Sequence, residues 1–134
     1  MSKTKALMRE QIKGIHDALK DTFNLPVYED EIAEDEESEM TDGYHCFVYE
    51  TSGMKNGNDM KSITQAVHIY YYSENRDDVD ERTVEIIRSL AEVKGLKFER
   101  SEKQRLQKKD TDRYIDRVIL TCVRRVIVGC QIRN

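Results

Sequence analysis

The chain has 134 residues, which suits one domain spanning residues 1–134. A domain of that length buries about two-thirds of the surface of its unfolded chain, so no disulfide or metal staple is required. Charged residues make up 36% against a usual share of about 25%, which predicts a thin core, and the net charge of −4 is unevenly spread: residues 29–39 hold eight acids and no base, whereas the last third is rich in Arg and Lys, an asymmetry that suits self-association or a charged partner. No apolar run approaches the roughly 20 residues of a membrane span, and no basic run is interleaved with aromatics as in a nucleic-acid reader.

Lys5 to Phe23 reads as a helix. Leu7, Ile12, Ile15, Leu19 and Phe23 recur at spacings of three to five, with Met8 and Ala18 widening the stripe. Thr4 or Ser2 suits its cap. Asn24 and Pro26 end it, because Pro cannot continue a helix and pushes Leu25 to extended geometry. Gly14 costs such a helix about 1 kcal/mol against Ala and reads as tolerated sequence, with close approach to a neighbour as the alternative. Pro26 to Tyr28 opens a short strand. Dense like charge resists compaction, so residues 29–43 read as a flexible acidic loop.

Tyr44 to Glu50 alternates as a strand, with Tyr44, Cys46 and Val48 on one face and His45, Phe47 and Tyr49 on the other. Aromatics on both faces predict cover on both sides, or a face kept for a partner. Residues 51–62, with two Gly and two Asn among polar neighbours, read as a long flexible hairpin loop. Ile63 to Ser73 is the next strand, antiparallel to the first across that loop. Its Ala66, His68, Tyr70 and Tyr72 share one face; Val67, Ile69 and Tyr71 share the other. The tyrosine run reads as packing, since Tyr is a common strand residue with a polar handle.

Asp78 to Glu81 has capping-box spacing at the start of a second helix, Asp78 to Lys94. Its stripe is Val79, Thr83, Ile86, Ile87, Leu90, Ala91 and Val93. Gly95 supplies a left-handed exit, with Leu96 folding back. Leu96 to Arg100 alternates as a strand into a charged turn, Ser101 to Asp110. The pattern resumes with Tyr114, Asp116, Val118, Leu120 and Cys122 on one face. Arg124 and Arg125 interrupt it before Val126 to Val128. The order predicts an α+β fold, α-β-β-α-β-β, with an antiparallel or mixed sheet and two helices packed on one face.

Chemistry-bearing patterns are sparse. His16, His45 and His68 lie on separate elements without metal-ligand spacing, and no phosphate loop or nucleophile elbow appears. Cys46, Cys122 and Cys130 form no CxxC. Cys46 and Cys122 lie in apolar strand patterns and read as buried free thiols, which points to a reducing compartment. Met1 to Lys20 carries acids and does not read as a secretory leader, so synthesis in the cytoplasm is expected. No catalytic, cofactor-binding or metal residue is assigned. The candidate contact residues are the acids Glu34, Asp35, Glu36 and Glu37, the loop residues Lys55, Asn56, Gly57 and Asn58, and the bases Arg124, Arg125 and Arg133.

The chain resembles the tail terminator (tail completion, tail-to-head joining) proteins of long-tailed bacteriophages, most of all that of a Bacillus siphophage. The resemblance is carried by the first helix with its acidic continuation (Lys5 to Glu39) and by the strand Ala66-Val67-His68-Ile69-Tyr70-Tyr71-Tyr72. It extends through the helix Asp78-Val79-Asp80-Glu81-Arg82-Thr83-Val84-Glu85-Ile86-Ile87 and the closing strand with Asp112-Arg113-Tyr114 and Arg117-Val118-Ile119-Leu120. It implies a virion assembly protein, a late protein of the viral tail that is monomeric or weakly associated when free. In the virion it forms a hexameric ring that caps the tail tube, stops its polymerisation and joins the tail to the head connector or stopper protein. No cofactor, catalysis or membrane is implied, and DNA passes through without specific binding. The place implied is the head–tail junction of the virion, and the host cytoplasm during assembly. On this reading residues 29–39 meet Arg124, Arg125 and Arg133 across a ring interface. The 51–62 loop orders on docking, and Glu34, Asp35, Glu36 and Glu37 face the DNA channel, which would repel phosphate. A head-closure or connector component is the alternative, and a metal-dependent enzyme a more distant one.

Overall fold

The computed structural model describes residues 3–31, 45–57, 59, 61–107 and 114–128. The 3.6-residue stripe of the first segment becomes helix α1, Lys3–Phe23, which buries Gln11, Ile15 and Leu19 one turn apart. Asn24 takes a left-handed φ of 56° and turns the chain back. The short strand β1 (Val27–Glu29) then runs parallel to β2 (Cys46–Asn56). β3 (Ser62–Glu74), helix α2 (Val79–Leu90), β4 (Leu96–Gln107) and β5 (Tyr114–Ile127) follow. The five strands form one sheet in the order β1-β2-β3-β5-β4. Every pairing is antiparallel except that of β1 with β2. The fold is therefore α+β with a mixed five-stranded sheet and two helices. The sheet has one strand more than the two pairs read from the sequence, because β1 adds a parallel edge.

Both helices lie on one face. Their Ile15, Leu19, Ile86 and Leu90 pack with Phe47, Val67, Ile69, Tyr71, Val118 and Leu120 into a single core. Each of these side chains is at most 2% exposed, so each contributes about 1.5–3 kcal/mol of gross burial energy. Phe23, Phe47 and Tyr71 stack at one end, with Phe47 and Tyr71 ring centroids 5.1 Å apart. The Arg82 guanidinium lies 3.9 Å over Phe23 and donates to the Tyr71 hydroxyl at 2.6 Å.

Gly14 permits the close approach to a neighbour that was the second of its two sequence readings. A methyl there would sit 3.3 Å from a Val93 methyl, so the missing side chain lets α1 approach the end of α2. Gly95 takes the left-handed conformation foreseen for it, at φ +82°, but α2 ends at Leu90 rather than at Lys94, and turns carry the chain from Ala91 to Gly95.

Four local expectations are corrected. Residues 51–62 are not a long loop: β2 continues to Asn56, with Met54, Lys55 and Asn56 opposite Gln65, Thr64 and Ile63, and a register shift between Thr51 and Met54 absorbs Ser52 and Gly53. The turn is closed by Gly57 N–H donating to the Ser62 carbonyl at 3.0 Å. Ser101 to Gln107 is likewise strand, paired through to Gln107 opposite Tyr114, and its charges are those of a solvated sheet edge. Arg124 and Arg125 do not interrupt β5, because one points into the protein and the other out of it. Asp78 makes no side-chain cap on α2; its carboxylate instead accepts from Arg76 at 2.7 and 2.8 Å, which holds its pKa below the usual carboxylate range.

Candidate interaction surfaces

Strand alternation sends each side chain of β2, β3 and β5 to one of two faces, and helix periodicity does the same for α1. Concave surfaces result, and three of them among the described residues separate side chains adjacent in the sequence. Glu34, Asp35, Glu36, Glu37, Asn58 and Arg133 lie outside the described residues, as does most of the acidic stretch 29–43.

Lys55, Asn56, Gly57 and Arg125 come together in the first surface. They line a polar concavity of about 730 Å³ on the sheet face away from the helices, with His68, Arg100 and Thr121. Arg125 is not a free cation there. Its Nη2 donates to Asp59 Oδ2 at 2.6 Å, and Asp59 Oδ1 accepts from Lys61 N–H at 3.0 Å and Ser62 Oγ at 2.8 Å. These donors, the Ser62 hydroxyl first, hold the Asp59 carboxyl below its ordinary pKa.

Arg124 belongs elsewhere and is only 4% exposed, which corrects its reading as a surface base. Its Nε donates to Gln65 Oε1 at 2.8 Å and its Nη1 to the Met8 carbonyl at 3.2 Å. Gln65 in turn donates to the Ser52 carbonyl at 2.7 Å. Gln11, one helical turn beyond, donates to the Arg125 carbonyl at 2.9 Å. Polar struts therefore fasten the first half of α1 where the second half uses Ile15 and Leu19. Burial lowers the Arg124 pKa, as desolvation disfavours the charged form.

Arg124 opens into the second surface, a groove of about 560 Å³ along one flank of α1. Met8, Ile12 and Tyr49 form its apolar part; Lys5, Arg9, Lys13 and His16 form its rim. The sequence reading missed this rim. Its signal was present, since bases at positions 5, 9 and 13 recur one turn apart. The third surface, about 540 Å³, lies on the opposite flank of α1 against α2 and carries Glu10, Asp21 and Glu92, partly offset by Lys94, beside Leu7, Gly14 and Val93. One helix thus separates a basic groove from an acidic one.

Among the described residues no three His, Cys, Asp or Glu side chains gather as a metal site. Cys46 and Cys122 are free thiols and buried, and burial pushes the Cys122 pKa up to about 11, which suppresses the reactive thiolate. No helix is long and apolar enough to cross a membrane among the described residues. Compared with models of protein families and with curated proteins, the chain matches none.

Proposed function

We propose that the protein is a virion assembly component of a long-tailed phage that caps the tail tube as a ring, ends its polymerisation and joins the tail to the head connector. The reading rests on the resemblance of the chain to tail terminators. The observation that best supports it is the division of labour between frame and surface. Both helices are spent on one face of the sheet, and the concave surfaces described above carry charged and polar side chains beside apolar ones. The strand–turn–helix from β3 through α2, with β5 beside it, supplies the rigid part. The α-β-β-α-β-β order, with β1 as an added edge, is the arrangement on which the resemblance depends.

A ring subunit needs two dissimilar surfaces, one for each neighbour, and opposite charge is an economical way to make them specific. The basic and acidic flanks of α1 are two such surfaces. Electron microscopy of particles assembled without this protein tests the proposal. The expected result is over-long tails, or tails not joined to heads; normal virions would refute it.

A further inference from the structure

We infer that the acidic groove between α1 and α2 binds a linear polyamine, an alkyl chain that carries several separated ammonium groups. The site is that of the free chain and does not depend on the phage reading. Where a neighbouring subunit covers this flank of α1, the two occupants exclude each other.

The groove of about 540 Å³ offers acceptors and is short of donors. Gln11 lines it and is 3% exposed. Its Nε2 is committed to the carbonyls of Arg125 at 2.9 Å and Lys94 at 3.4 Å, whereas its Oε1 has no hydrogen-bond partner. A buried carbonyl oxygen without a donor is costly, and a donor entering the groove would remove that cost. The hydroxyls of the wall are spent on each other. Thr22 Oγ1 donates to the Ala18 carbonyl at 2.5 Å and so receives the Ser89 hydroxyl, 2.8 Å away, which leaves Ser89 Oγ as an acceptor. Glu10, Asp21 and Glu92 add three exposed carboxylates, and Lys94 is the cation among the lining residues.

The placing of the acids selects the ligand. Glu10 and Asp21 both belong to α1, and their separation is close to three whole turns, so they stand on one flank about 16 Å apart. Glu92 faces them from the segment after α2. Charges spread along a line in this way do not converge on one ion, and among the described residues no three acids gather as a metal site. Between them lie Leu7, Ala18 and Val93, apolar surface that methylene groups would cover. Separated ammonium groups joined by methylenes match both features, and each ammonium brings the donors that Gln11 Oε1 and the carboxylates lack.

The test titrates the isotope-labelled full chain with spermine and reads the Gln11 side-chain amide and the Gly14 backbone amide by NMR. Both signals should move and saturate, whereas butylamine or magnesium chloride at the same concentration of charge should leave them in place. Glu10→Gln, Asp21→Asn and Glu92→Gln together should weaken the binding read at these signals about tenfold or more. Lys94→Gln, which removes the groove's own cation, should tighten it about threefold. The control triple variant Glu29→Gln, Asp30→Asn, Glu31→Gln changes the net charge equally and should bind as the natural chain does. All the substituted positions are exposed, and circular dichroism checks that folding is kept. Unmoved Gln11 and Gly14 signals would overturn the assignment, as would an equal response to magnesium. So would undiminished binding in the groove variant, equal weakening in the control, or no tightening in Lys94→Gln. None of these outcomes bears on tail length or on joining, so the two proposals fail separately.

Discussion

β3 and β5 send alternate side chains to two faces that differ in what covers them. Toward the helices stand Val67, Ile69, Tyr71, Val118, Leu120 and Cys122, all essentially inaccessible. Away from them stand Ala66, His68, Tyr70, Tyr72, Ile119 and Val123, half-buried on a face that no described helix covers. Apolar content alone does not separate the faces, since tyrosines lie on both. The difference lies in polar handles. On the second face the Tyr70 hydroxyl donates to Glu50 at 2.7 Å, Thr121 lies 3.5 Å from His68 Nδ1, and Arg117 donates to Gln104 at 3.0 Å. Such groups accept water or a partner equally, whereas the helix-facing side chains are aliphatic, carry a buried thiol (Cys122) or, for Tyr71, have their one polar atom already taken by Arg82.

Neighbouring residues on β5 give the sharpest test of this difference. Leu120→Ala, on the helix face, should cost about 2–5 kcal/mol of unfolding free energy, and Ile119→Ala, on the other, about 1 kcal/mol, both read from urea denaturation. Equal losses would mean that the second face is as tightly covered as the first.

A smaller effect is expected where the helix-side layer is pinned by backbone. Gly95 combines φ +82° with a hypothetical Cβ position only 2.5 Å from Gln11 Nε2. Gly95→Ala should cost about 1–3 kcal/mol in the same assay, by backbone strain and by displacing the Gln11 strut. A neutral result would show that this strut is dispensable.

The smallest effect belongs to the second face and appears only in alkali. Hydrogen bonding to Glu50, reinforced by burial, raises the Tyr70 pKa from about 10 to about 12. The folded protein therefore keeps a proton that the unfolded chain releases. Its contribution to stability is full below about pH 10, falls as pH rises, and is gone above about pH 12. Denaturation midpoints of the natural protein should thus decline more steeply across that window than those of Tyr70→Phe. Parallel curves would rule out the Tyr70–Glu50 bond as the cause.

Much of this frame was legible in the amino-acid order. Helical spacing from Leu7 to Phe23, strand alternation from Ala66 to Tyr72, and the Gly95 exit all rest on local geometry, which a sequence carries directly. The misread stretches share a different physics. Ser52 to Asn56 and Ser101 to Gln107 have turn-like or charged composition, yet they are strand because β3 and β5 offer a complete backbone ladder beside them. The candidate contact residues were harder still. Arg124 and Arg125 are adjacent in sequence and similar in chemistry, and strand alternation sends one into the protein and the other to Asp59.

The sequence by itself determined the α+β class, the two amphipathic helices, the antiparallel hairpins and the uneven charge. Each follows from periodicity or composition along a single segment. Only the tertiary structure decided that β1 closes the sheet in parallel and that α1 divides a basic groove from an acidic one. Those outcomes depend on which distant segments meet. Burial of Ile15, Leu19, Ile86 and Leu90 against one sheet selects that meeting, and no local pattern records it.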